Sequence, residues 1–193
     1  MKKYSQLLLG FAVILVGLLG ISSQAHAVTH YVQSSTPTIF VHGWGSSSHA
    51  EEKMANAARD AGVTKTIVRA NVDRKGKVTF NHQIPANAVN PIVEVNLEDN
   101  KLSAYQDDYT QGYHHGGGYV KNVVLALEKQ HHYKQINLVG HSMGNLEIIN
   151  YINDNVNDKS LPQVAYLVAI AGHYNGLVGQ SKVQDAKVHS KTG

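Results

Sequence analysis

The pentapeptide Gly140-His141-Ser142-Met143-Gly144 combines residue types that could do chemistry with a setting that could present them. It follows a short apolar run at 136–139 and opens a helix-like stretch at 143–152. A strand that turns directly into a helix leaves no room for side chains at the positions flanking the turn, hence the glycines at 140 and 144. The serine between them is pushed outward at the carboxyl end of the strand, its Oγ beside the positive end of the helix. A serine presented in this way suits attack on an acyl carbon through a covalent intermediate. Without chemistry, the same residues would be a serine-containing strand–helix turn and nothing more.

Acyl transfer also needs donors aimed at the developing oxyanion. One is expected from the backbone N–H just after the nucleophile, at Met143. The other is expected from the loop after an early strand, where His42-Gly43-Trp44-Gly45 follows the apolar, β-branched Thr38–Val41. Gly43 and Gly45 would let that backbone approach closely, so that Trp44 offers its N–H. The Trp44 ring can plug the sheet edge at the same time, because the proposed role uses only its main chain. His42 and His141 read as orienting or packing residues.

The elements that must hold these groups alternate between strand and helix. Residues 38–41, 66–72 and 91–97 read as strands, and 77–80 as a hairpin partner after the turn at 73–76. Ser46, Ser47 and Ser48 can cap a helix in which Met54, Ala57, Ala58 and Ala61 share a face and Gly62 is the stop. Residues 99–118 read as a polar, Gly- and Tyr-rich loop, too long to be structureless and so functional or partly helical. Val120, Val123, Val124 and Leu127 follow helical spacing, as do Leu146, Ile149 and Ile152. Residues 164–171 form a near-continuous apolar run, expected of a strand covered on both faces. Such alternation predicts an α/β fold with a mostly parallel sheet flanked by helices.

The segments 38–43, 140–145 and 168–172, with Asn175-Gly176, resemble the α/β-hydrolases of Gram-positive bacteria often called cell-surface hydrolases. Residues 121–124 and 157–162 look like that family too, so the resemblance spans roughly residues 37–176. It implies an α/β-hydrolase-type sheet and esterase- or lipase-like chemistry, with Asn145 in place of the second glycine common in lipases. A serine hydrolase also needs a histidine base and a carboxylate to orient it, following the serine in chain order. Each further strand–helix unit takes roughly 25–30 residues, and residues 172–193 cannot hold two. The expectation is therefore a sheet lacking its last strands, with the acid and base that family members carry there absent. His173, Asp185 and His189 remain as leftover candidates.

Export is the other clear expectation. Lys2 and Lys3 precede an apolar run at 7–21, and Ala25-His26-Ala27 offers small residues where a signal peptidase reads. Residues 1–27 therefore read as a signal peptide and 28–193 as the hydrolase domain, placed outside the cell or on its surface and associated with the envelope. With Lys2 and Lys3 set aside, 15 scattered basic residues face 14 acidic ones, which leaves no nucleic-acid footprint. There is no cysteine, so neither disulfides nor thiol chemistry enter. The His114-His115 and His131-His132 pairs read as surface residues, since adjacent histidines diverge and no carboxylate shares a ligand spacing with them. Gly116-Gly117-Gly118 lacks the lysine of a phosphate loop. The expected reading is a secreted serine hydrolase acting on a small-molecule or lipid ester, without metal or cofactor. Its rival is a catalytically inactive fragment or a wall-associated binding module.

Overall fold

The computed structural model describes residues 30–180. The expected signal peptide, together with Asp185 and His189, lies outside them. Among the described residues, no helix is long and apolar enough to cross a membrane.

Among the described residues six strands form one sheet: β1 (Thr38–Val41), β2 (Ile67–Val72), β3 (Val78–Phe80), β4 (Ile92–Leu97), β5 (Gln135–His141) and β6 (Gln163–Ile170). Their spatial order is β3-β2-β4-β1-β5-β6, parallel throughout except for the β2–β3 hairpin. Three helices connect parallel strands: α1 (Glu52–Asp60), α2 (Tyr109–Glu128) and α3 (Gly144–Asp154). β1 lies centrally, with Thr38 beside Ile92 of β4 on one side and Asn137 of β5 on the other. The chain leaves β1 toward β4 and β2, then returns on its far side at β5. The carboxyl ends of β1 and β5 therefore flank a switch in direction, the place where open α/β sheets hold their ligands.

The main core lies between the sheet and the α2–α3 pair. Ile39, Val41, Val93, Val95, Ile136 and Leu138 meet Val120, Val123, Val124, Leu127 and Ile148, all fully buried. The helical spacing at 120–127 thus faces the sheet as expected.

Two expectations need correction and one is narrowed. Of the two readings for residues 99–118, the partly helical one holds: a 3-10 turn at Ser103–Tyr105 leads into α2, which starts at Tyr109. The glycine triplet sits inside that helix because α3 packs against it. A Cβ on Gly116 would lie 2.7 Å from Glu147 Cγ, and one on Gly117 2.8 Å from the Tyr151 backbone nitrogen. In α1 the buried position is Ala55, while Met54 is 45% exposed, so its apolar face was misassigned. Among the described residues β6 is an edge strand, as expected of a sheet lacking its last strands, but its Tyr166, Leu167 and Val168 are exposed, so it is not covered on both faces. An apolar run alone does not separate an edge from a centre.

Candidate active site

Ser142 occupies the turn between β5 and α3 with φ at 51°, in the left-handed region that a non-glycine residue enters only when its surroundings force it. The surroundings are explicit. A Cβ on Gly144 would collide with the Val41 carbonyl oxygen and stand 2.8 Å from that of His42. One on Gly140 would stand 2.5 Å from Asn145 Oδ1. Asn145 then rivets the turn from below. Its Nδ2 donates to the Ser142 and Ile170 carbonyls, both at 3.0 Å, while Ser142 N–H donates to Ile170 at 2.9 Å.

The loop after β1 runs directly against the serine. A Cβ on Gly43 would lie 2.9 Å from Ser142 Cβ and 3.5 Å from its Oγ. His42, fully buried, sets the course of this loop. Its Nε2 accepts Leu97 N–H at 3.1 Å, so the ring proton is on Nδ1, which donates to the Gly43 carbonyl at 2.9 Å. Burial holds the His42 pKa below its ordinary value, consistent with this neutral tautomer. In a trans peptide the N–H points opposite to the carbonyl. Drawing Gly43 C=O toward His42 therefore turns Trp44 N–H the other way.

Met143 is fully buried at the start of α3. Among the described residues, neither Trp44 N–H nor Met143 N–H donates a hydrogen bond. The Trp44 ring packs on Tyr109 with centroids 5.6 Å apart, against an apolar cluster of Leu102, Tyr113, Met143 and Leu146. Its ring is a packing element beside whatever its main chain does.

His173, in the loop after β6, comes to the serine: its Nε2 is 3.3 Å from Ser142 Oγ. The parallel β5–β6 pairing, with His141 beside Ile170, puts this loop next to the turn that carries Ser142. Sequence order alone left His173 among the leftovers. Its Nδ1 is buried with no hydrogen-bond partner among the described residues. His141 points away from this chemistry, its Nδ1 3.3 Å from Glu51 Oε1. Burial, offset in part by a backbone hydrogen bond and reinforced by Glu94, pushes Glu51 up to about 7. Neither Glu51 nor Glu147 was singled out by sequence as a buried acid, since both look like ordinary helix-surface carboxylates.

The histidine pairs separate as adjacent side chains should. His114 meets Asp154 at 2.8 Å and His115 meets the Tyr119 hydroxyl at 2.9 Å. His131 reaches the Ile84 carbonyl at 2.7 Å, while His132 extends into solvent near Glu128. Among the described residues, no group of three or more histidines or carboxylates could hold a metal ion.

A parallel sheet with a strained serine on a strand–helix turn at the switch point defines the α/β-hydrolase class. Residues 25–193 match the family described as alpha/beta hydrolase of unknown function (DUF915), and the chain belongs to that family. Its fold is similar to the lin2722 gene product of Listeria innocua, at 27% identity and a TM-score of 0.64, over 75% of this chain and 54% of that one. It is also similar to a Lactobacillus plantarum WCFS1 protein provisionally designated a cell surface hydrolase, at 19% identity and a TM-score of 0.62, over 72% and 54% of the two chains. This chain thus spans about half the length of both structures. No curated protein matches it.

Proposed function

We propose that this chain is a serine hydrolase of carboxylic esters, with Ser142 as nucleophile and His173 as its base. The observation that carries the reading is the strained Ser142 with its Oγ 3.3 Å from His173 Nε2. In the first half-reaction His173 Nε2 takes the Oγ proton as Oγ bonds to the ester carbon. The oxyanion is received by Trp44 and Met143 N–H. Collapse breaks the bond to the alcohol, which leaves with the proton from His173, and Ser142 keeps the acyl group. Water then attacks, giving a proton to His173. The second collapse frees the acid and returns that proton to Ser142. No metal or cofactor takes part in this scheme. The protein works outside the membrane or at the cell surface after cleavage before Val28.

The test combines turnover of p-nitrophenyl butyrate with labelling by a fluorophosphonate. Wild type should turn over and be labelled at Ser142. Ser142→Ala should abolish both, and His173→Ala should slow turnover by about 10²–10⁴-fold, the usual worth of a positioned base. Export is tested by sequencing the amino terminus of envelope or supernatant protein, which should begin at Val28. The unpartnered Nδ1 of His173 favours one second reading, a hydrolase fold kept as a binding module. A folded wild type that gives neither turnover nor label would select it.

A further inference from the structure

Residues 171–180 run from the end of β6 past Ser142 and are held at both ends. At the first end, the Ile170 carbonyl accepts Ser142 N–H and Asn145 Nδ2. At the second, Gln180 Oε1 accepts the Tyr113 hydroxyl and Leu177 N–H, each at 2.8 Å. The Gln180 N–H closes the same turn by donating to Leu177 O at 3.1 Å. His173 lies between these anchors.

The segment itself is pliable. Gly172, Gly176 and Gly179 occur within it, and Ala171, Gly176 and Gly179 all have positive φ, at 48°, 75° and 92°. Glycine-rich backbone loses more entropy on ordering than any other, so its position depends on what ties it down. Among the described residues the imidazole has no second hold, since His173 Nδ1 has no hydrogen-bond partner there. Among the described residues, what holds His173 Nε2 at Ser142 is therefore the backbone that carries it. Tyr113 is a firm post for that purpose: it is 2% exposed, on α2, packed with Leu102, Tyr109, Met143 and Leu146. Burial pushes its phenol up to about 12, so it stays a donor across any practical assay pH.

We propose that Tyr113 and Gln180 are positioning residues, a latch that fixes the 171–180 strap so that His173 can serve Ser142. The proposal rests on the serine-hydrolase reading above and adds to it what holds the strap that carries the base.

The experiment uses the full chain and the variants Tyr113→Phe, Gln180→Ala, Gln180→Glu and His173→Ala, with the Tyr113→Phe/His173→Ala double variant. Hydrogen exchange over residues 171–180 reports the strap whether or not the protein turns over substrate. Kinetics on p-nitrophenyl butyrate report the base, and thermal melts report folding. Tyr113→Phe and Gln180→Ala should speed exchange in the strap and lower kcat by up to roughly 10²-fold, the scale of a 1 Å misplacement, with little change in KM. Gln180→Glu keeps an acceptor for both donors and should retain most of the rate. In the His173→Ala background Tyr113→Phe should cost nothing more, because a latch that works through His173 has nothing left to position. Equal losses in both backgrounds would make Tyr113 a packing residue only and overturn the latch. So would unchanged exchange and kcat in Tyr113→Phe and Gln180→Ala beside an active wild type. A wild type that neither turns over nor is labelled overturns the hydrolase reading instead, and with it the catalytic meaning of the latch.

Discussion

Glu147 lies on α3, five residues past the nucleophile, fully buried, and neither carboxylate oxygen has a hydrogen-bond partner among the described residues. Burial, with the nearby Asp99 adding to it, raises its pKa from 4.5 to about 8. A carboxyl in that setting stays protonated at neutral pH, because an unpaired buried charge costs far more than a neutral acid. The consequence for stability has a definite sign. Below pH 4.5 the folded and unfolded chains both hold this proton and the group is neutral in the balance. Between there and about pH 8 only the folded chain holds it, so its contribution to stability falls as pH rises. The slope for one such group is about 1.4 kcal/mol per pH unit. Glu147→Gln keeps the shape and removes the titration. Melting temperatures of the two proteins, followed from pH 4 to pH 9, should diverge with rising pH in favour of Glu147→Gln. Parallel curves would mean that Glu147 is already ionised or solvated in the folded protein.

At the level of elements, α2 and α3 pack closely, and two neighbouring glycines separate the causes. A Cβ on Gly117 would meet the Tyr151 backbone nitrogen at 2.8 Å and Asn150 C at 3.1 Å, which no side-chain rotation can relieve. A Cβ on Gly118 would meet nothing within 4 Å. Gly117→Ala should therefore destabilise by about 1–3 kcal/mol through overpacking. Gly118→Ala should stabilise by roughly 0.5–1 kcal/mol, since alanine holds a helix interior better than glycine. Urea denaturation of both variants decides the point, and a shift in the same direction for both would refute it. This pair also marks what sequence could and could not disclose. The strands at β1, β4 and β5 and the serine turn were legible because strand and turn chemistry are local: β-branched runs, then glycines where a side chain cannot fit. The glycine triplet at 116–118 was not, because locally it signals a loop and only the approach of α3 makes it helical. Ala55 was hidden for a similar reason. An alanine-rich helix has no strong apolar stripe, and what it packs on decides its buried face. For His173 the sequence offered only its place in the loop after the 164–171 strand, near the site. Its distance from Ser142 is set by the β5–β6 pairing, which brings residues 31 apart within hydrogen-bond reach and cannot be read from spacing alone.

For the molecule as a whole, the exposed feature of most consequence is the edge at β6. Among the described residues β6 has a strand neighbour on one side only, β5. Its Tyr166 is 73% exposed and Val168 50% exposed, on an eight-residue strand without a charge or proline. An edge of that length and composition offers unpaired backbone donors and acceptors together with apolar side chains, the combination that invites strand-to-strand association. The opposite edge is managed differently: β3 is three residues long and follows the Asp73–Gly76 turn with lysines on both sides of the glycine. The purified protein should therefore self-associate with rising concentration, and it should do so through β6. Replacing Tyr166→Lys and Val168→Lys together places like charges on every approaching copy while leaving Ile136, Leu138 and the core beneath untouched. Light scattering and sedimentation velocity should show the wild type growing in apparent mass with concentration and the double variant remaining at monomer mass. The melting temperature should change little, because both side chains are already largely in water. Serine labelling by fluorophosphonate should be retained, since β6 meets the site through Ile170 and His173 at its far end and not through these two positions. Association that persists unchanged in the double variant would place the sticky surface elsewhere on the molecule.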